Sequence, residues 1–106
     1  MAKEIKTKTV FSVRLKQARL RAGFTQIELG VLAGIEEFSA SARINQYERA
    51  THAPNYGTAE RLSVALNVPI SFLFESDDKL ASIILIAGQL TAKNQDKLLA
   101  AAEAMI

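Results

Sequence analysis

Apolar side chains recur three and four residues apart along most of this chain, and the rhythm stops at residues that end helices. Phe11 to Ala22 has Leu15, Ala18 and Ala22 on one side, with Arg14, Lys16, Gln17 and Arg21 mostly on the wet side, and Gly23 ends it. A helix from about Gln26 to Ala33 follows. Thr25 is its N-cap, Glu28 completes a capping box, and Ile27, Leu29, Val31 and Leu32 supply an apolar side. Gly34 is the natural stop, because glycine takes the left-handed C′ conformation without steric cost. A third helix runs from about Ser39 to Arg49, with Ser39 and Ser41 as alternative N-caps. Asn55 or Thr58 caps a fourth, which ends near Leu66 with Leu62, Ala65 and Leu66 facing the core, and Asn67 makes the turn. Pro69 or Ile70 opens a short helix in which Phe72, Leu73 and Phe74 close the core. Ser76, Asp77 and Asp78 start a helix that reaches about Gly88, and Thr91 caps a last one, Ala92 to Met105. The pattern predicts an all-α chain.

Composition narrows the possible functions. With 106 residues the chain is one domain, or one domain and a small appendage. There is no cysteine, hence no disulfide framework and no thiolate metal site, which fits a reducing cytoplasm. No signal-peptide pattern opens the chain, and the most apolar run, Leu80 to Leu90, is far shorter than the ~20 residues of a membrane-spanning helix. Charge is uneven. Through Arg61 there are ten Lys/Arg against six Asp/Glu, a balance of +4; from Leu62 onward three against five give −2. The positive half suits a polyanionic partner. A catalytic constellation is missing. His52 stands alone, and the carboxylate pairs Glu36–Glu37 and Asp77–Asp78 are sequence neighbours, which on a helix do not face one another. Neither a cofactor nor a metal is expected.

Helix, glycine-containing turn, helix is the DNA-reading unit when the second helix is free to enter a major groove. The residues around it make the likeness specific. LKQARLRAGFTQIEL at Leu15 to Leu29, the apolar Leu32 and Ile35, RINQYERA at Arg43 to Ala50 and ERLSVALNVPISFLF at Glu60 to Phe74 resemble the phage repressor (lambda repressor-like) helix-turn-helix family. The resemblance implies a five-helix DNA-binding domain over residues 11–75, preceded by a basic arm, 1–10, and followed by two C-terminal helices, 76–106. In one place the chain departs from the family. Eight residues, EEFSASAR, lie between Ile35 and Ile44, where about four are usual. They either lengthen the turn or add a helical turn to the front of the recognition helix. Many members also have glycine where Ala50 stands; a left-handed backbone there would strain alanine.

On that helix, taking Ile44 as inward and stepping ~100° per residue puts Tyr47 and Glu48 near it and Ala42 and Gln46 opposite, with Arg49 and Asn45 beside them and Arg43 on the other flank. Ser41, Ala42, Arg43, Asn45, Gln46 and Arg49 are therefore the candidate base contacts. Gln pairs with adenine, Arg with guanine, and small Ser or Ala fits a thymine methyl. Phe38 in the insert is expected in the core rather than as an intercalating wedge. Thr25, Gln26 and Ser39 are the candidate phosphate contacts; Gln26 opens a helix whose first N–H groups are free for an anion. The resemblance further implies an ion pair between Arg19 and Glu48 that ties the first helix to the end of the recognition helix. Met1 to Thr9, with Lys3, Lys6 and Lys8, reads as a solvated arm; a phosphate or minor-groove contact and a short strand are the alternatives.

Together these point to a sequence-specific double-stranded DNA-binding transcriptional regulator, a repressor. It is expected to be a homodimer on an inverted-repeat operator, paired through the apolar surplus of residues 76–106: Leu80, Ile83, Ile84 and Ile86, then Leu98, Leu99, Ala102 and Met105. Packing back onto the same domain is the other outcome for those helices. An antitoxin or coactivator-type interaction module with the same fold is the alternative function.

Overall fold

The structure, a computed structural model, describes residues 8–106. Lys3 and Lys6 of the basic arm and the strand considered over EIKTKTV lie outside the described residues or at their edge. The described residues form six α-helices and one 3-10 helix, without strands: α1 (Val10–Ala22), α2 (Gln26–Leu32), α3 (Glu37–Glu48), α4 (Tyr56–Leu66), the 3-10 helix Ile70–Phe74, α5 (Asp78–Gln89) and α6 (Ala92–Glu103). The all-α reading holds, with five helical elements followed by two.

Most ends are local and legible. The side chains of Thr9, Thr25, Asn55, Asp77 and Thr91 each accept the N–H of the third residue of the helix that follows. At the end of α2, Gly34 is left-handed (φ 86°), and the N–H groups of Gly34 and Ile35 return to Val31 and Gly30. That is the paired bonding by which a helix satisfies its last carbonyls. Asn67 ends α4 in the same left-handed region, at φ 55°.

The core is built from Phe11, Leu15 and Ala18 of α1, Leu29 of α2 and Ala33 at its end, Ile44 and Tyr47 of α3, Ala59, Leu62 and Leu66 of α4, and Phe72 and Leu73, all buried. Side-chain direction differs from the sequence expectation at several positions. Ala22 is exposed. On α2 only Leu29 and Gly30 are buried, while Ile27, Val31 and Leu32 remain largely in water. Phe74 is 55% exposed and lies against the Phe11 ring, centroids 5.3 Å apart. The shortness of α2 and of the 3-10 helix explains this: an element of two turns or fewer turns only one or two side chains inward.

Arg14 also departs from its expected place. Placed on the wet side by periodicity, it is only 6% exposed. Its Nε donates to Glu75 O at 2.8 Å, its terminal nitrogens to Ser76 O (3.3 Å), Asp78 Oδ1 (3.0 Å) and Gln17 Oε1 (3.0 Å), and its guanidinium lies 5.7 Å from the Phe72 ring centroid. It fastens the start of α5 to α1. Ala81 is buried, Ile84 and Leu85 are half-buried against the core, and a Cβ added at Gly88 would lie 2.5 Å from Pro69 Cγ. So α5 packs back on its own domain along one face, while Leu80, Ile83 and Ile86 stay exposed. None of the α6 residues is buried.

Candidate nucleic-acid interface

The helix-turn-helix is held by two different devices. The first is close backbone packing. Gly30 on α2 faces Ala40 on α3 so tightly that a Cβ at Gly30 would sit 2.6 Å from Ala40 Cβ and 3.0 Å from its Cα. A glycine opposite an alanine lets the two axes approach, and it fixes which side of α3 turns inward. The second is electrostatic. Arg19 Nε and a terminal nitrogen donate to the two carboxylate oxygens of Glu48 at 2.5 and 3.0 Å, and a further nitrogen donates to Phe24 O at 3.0 Å. Both partners are buried, Arg19 at 9% and Glu48 at 3% exposure. The hydrogen bond to Glu48 raises the Arg19 pKa further above its already high value, against the opposing effect of burial. This fork-on-fork pairing joins α1 to the last turn of α3.

Gln26 belongs to the same network. Its amide nitrogen donates to Glu48 Oε1 at 3.2 Å and Asn45 Oδ1 at 3.3 Å. A carboxylate only accepts, so the amide must present nitrogen to Glu48 and oxygen the other way. Thr25 Oγ1 accepts from Glu28 N, and Glu28 in turn accepts from Thr25 N at 2.8 Å. The Thr25 backbone N–H, and after it the Thr25 side chain, hold the Glu28 carboxyl below its usual pKa. Of the first N–H groups of α2, that of Glu28 is taken by Thr25, while those of Gln26 and Ile27 have no intrahelical partner.

The insert is helical. It starts α3 at Glu37, two residues before Ser39, so all of the insert but Glu36 lies within the helix. Neither Ser39 nor Ser41 is its N-cap. Glu36 occupies that position, without a side-chain cap bond, and Ser39 is half-buried inside the first turn. Phe38 is not in the core; it is 95% exposed. The reason is helical register. With Ala40 held against Gly30 and Ile44 inward, Phe38 lies about 200° from Ala40, on the far side. Ser41, Ala42, Arg43 and Arg49 are exposed, and Asn45 and Gln46 are half-buried beside them. After Arg49, Ala50 is left-handed at φ 60°. It is held there by N–H bonds from Ala50 to Tyr47 O and from Thr51 to Gln46 O. Lys8 Nζ reaches Glu48 O at 3.0 Å, a cation at the negative end of α3.

Sequence reasoning missed Arg14 and the direction of Phe38. Arg14 carries no local signal, since its partners are more than sixty residues away. Phe38 was legible once the insert is taken as helix, by stepping back six residues from Ile44. Among the described residues no group of three or more His, Asp or Glu could hold a metal ion, and no helix is long and apolar enough to cross a membrane.

None of the curated proteins matches the chain. Among solved structures, the crystal structure of the transcriptional regulator BswR is similar, with a TM-score of 0.83 and 47% sequence identity, over 88% of this chain and 92% of that one. This neighbour and the helix-turn-helix family model point to a DNA-binding regulator and not to an enzyme. The family model matches residues 15–73, more than half of the sequence: the chain belongs to the helix-turn-helix family.

Proposed function

We propose that the protein represses transcription by occupying an inverted-repeat operator in double-stranded DNA as a homodimer, in the cytoplasm, with α3 in the major groove. The observation that carries this reading is the outward face of α3. Ser41, Ala42, Arg43 and Arg49 are exposed, with Asn45 and Gln46 beside them, on a helix whose other side is clamped by Gly30 and by Arg19–Glu48. Such a helix presents donors, acceptors and a methyl group at fixed positions, as base reading requires. Thr25, Gln26 and Ser39 contact phosphate, Gln26 through the N–H groups at the start of α2 that lack an intrahelical partner. Repression needs only occupancy of the operator.

In this reading residues 1–10 are a basic arm, 11–75 the DNA-binding domain and 76–106 the pairing extension. The outer face of α5, with Ile83 50% and Ile86 57% exposed, and the unburied α6, with Leu99 59% exposed, are the surface for a second copy. Dimerisation doubles a contact of a few base pairs into one specific enough for a genome.

Selection from a random duplex pool should return a two-fold symmetric site with half-site centres about one helical turn apart, ~34 Å, or a multiple of that. Binding to it should weaken with a log–log salt slope of about −0.9 per phosphate neutralised. Gln46→Ala should relax preference at one base pair per half-site by ~1–3 kcal/mol. Salt-independent binding, or no binding to any duplex, would sink the proposal.

A further inference from the structure

The most exposed large apolar side chain of the helix-turn-helix stands at the front of α3. We propose that Phe38 reads sequence: its ring packs against the 5-methyl group of a thymine in the major groove, from the first turn of the recognition helix. The inference rests on the DNA-binding reading above.

Four observations carry it. Phe38 is 95% exposed, against 58% for Leu32 and 47% for Val31 on the neighbouring helix. A ring left this far in water gains nothing for its own fold. Its direction is fixed: the Gly30–Ala40 contact sets the rotation of α3 and leaves Phe38, Ala42, Asn45 and Arg49 on one stripe, spaced four, three and four residues apart. That stripe includes three of the candidate base contacts. Phe38 also lies in the first turn, and the N-terminal residues of a recognition helix are the ones that meet base edges. The chemistry of the position excludes phosphate. Phenylalanine donates no hydrogen bond. The apolar group that a major groove displays is the thymine methyl. A second copy of the chain is the less suitable occupant. Phe38 is flanked by Glu36, Glu37, Ser39 and Ser41, so it is a single apolar point and not a patch of interface size.

The test uses the full chain and the duplex it selects from a random pool. Each thymine within the protected half-site is replaced in turn by uracil, which removes only the methyl group, and affinity is read by fluorescence anisotropy for wild type, Phe38→Ala and Phe38→Leu. At one thymine per half-site, uracil should weaken wild-type binding about four-fold, the value of one buried methyl-sized group. Phe38→Ala should lose at least as much on the thymine duplex and nothing further on the uracil duplex, while Phe38→Leu keeps most of the affinity. Equal losses from Phe38→Ala on both duplexes, or none on either, overturn the proposal while leaving the DNA-binding reading in place. Failure of wild type to bind any duplex overturns that reading instead. The melting midpoint and light-scattering mass of Phe38→Ala should match wild type; a fall in either would show that the ring serves the fold or a copy-to-copy contact, and would also overturn it.

Discussion

α3 and α6 are both twelve residues long, yet α3 buries Ala40, Ile44, Tyr47 and Glu48 while α6 buries nothing. Apolar content does not account for the difference, since α6 carries Leu98, Leu99 and three consecutive alanines. What places α3 is complementarity with its own chain: a glycine opposite Ala40, a guanidinium opposite Glu48 and a cationic Lys8 at its last carbonyls. From α6, Gln95 Nε2 donates to Ala87 O of α5 at 2.8 Å. A helix whose rotation is set within the subunit suits the reading of an external template. One with an unclaimed apolar face suits a partner that completes it.

The contrast can be broken most severely at Glu48. Glu48→Ala strands the buried Arg19 guanidinium and should cost ~3–5 kcal/mol in urea denaturation. An unchanged midpoint would mean that α3 is positioned by packing alone. Next comes Gly30→Ala, where the added methyl meets the backbone of Ala40 as well as its side chain. A loss of ~1–3 kcal/mol is expected. Affinity for the selected duplex should fall by more than stability does, because α2 and α3 must move apart; undiminished affinity would show that the groove tolerates that movement. In the opposite direction, Ala50→Gly relieves a left-handed alanine at φ 60°. Relief of ~1–2 kcal/mol, offset by the greater freedom of glycine in the unfolded chain, leaves a gain of about 0.5–1 kcal/mol. The smallest effect on the fold is expected on α6. Leu99→Asp at a position 59% exposed should change the stability of the dilute, dissociated chain by under ~0.5 kcal/mol. The same substitution should halve the mass seen by light scattering at tens of micromolar. A large loss of stability without a change of mass would return α6 to its own core.

Apart from the Arg19–Glu48 pair, 29 residues apart and implied by the family resemblance, the features that could be read from the sequence are those whose partners lie close by in the chain. The Thr25–Glu28 box, the left-handed Gly34 and Asn67, the caps at Asp77 and Thr91 and the position of Ala50 all involve residues at most five apart. The core face of α3 followed from Ile44 by counting, and the same count gives the outward direction of Phe38 once Glu36 to Ser39 are taken as helix. Composition opposed that step, because a phenylalanine beside two glutamates in an insert suggests a loop side chain folded inward. Arg14 lay out of reach: four polar neighbours on one wet-looking face of α1 give no sign that one of them collects carbonyls from residues 75 and 76. The candidate base-contacting residues form a continuous outward surface on α3, while Ser39 sits half-buried within its first turn.

The Arg14 anchor has a mechanical consequence. Since α5 is bolted to α1 by that guanidinium and seated on Pro69 at Gly88, it moves with the DNA-binding domain as one body. The chain then passes into α6 through two extended residues, Leu90 (ψ 152°) and Thr91 (ψ 160°). The Gln95–Ala87 hydrogen bond spans the junction, and a change of angle at those two residues would make them the pivot of a lever. Twelve residues of helix make an arm of about 18 Å, so a 10° rotation at the pivot swings its tip by roughly 3 Å. In a dimer joined through α6, such a swing would alter the separation of the two recognition helices while leaving each subunit's core intact. Tolerance for half-site spacing would then be decided at Leu90 and Thr91, far in sequence from the candidate base contacts.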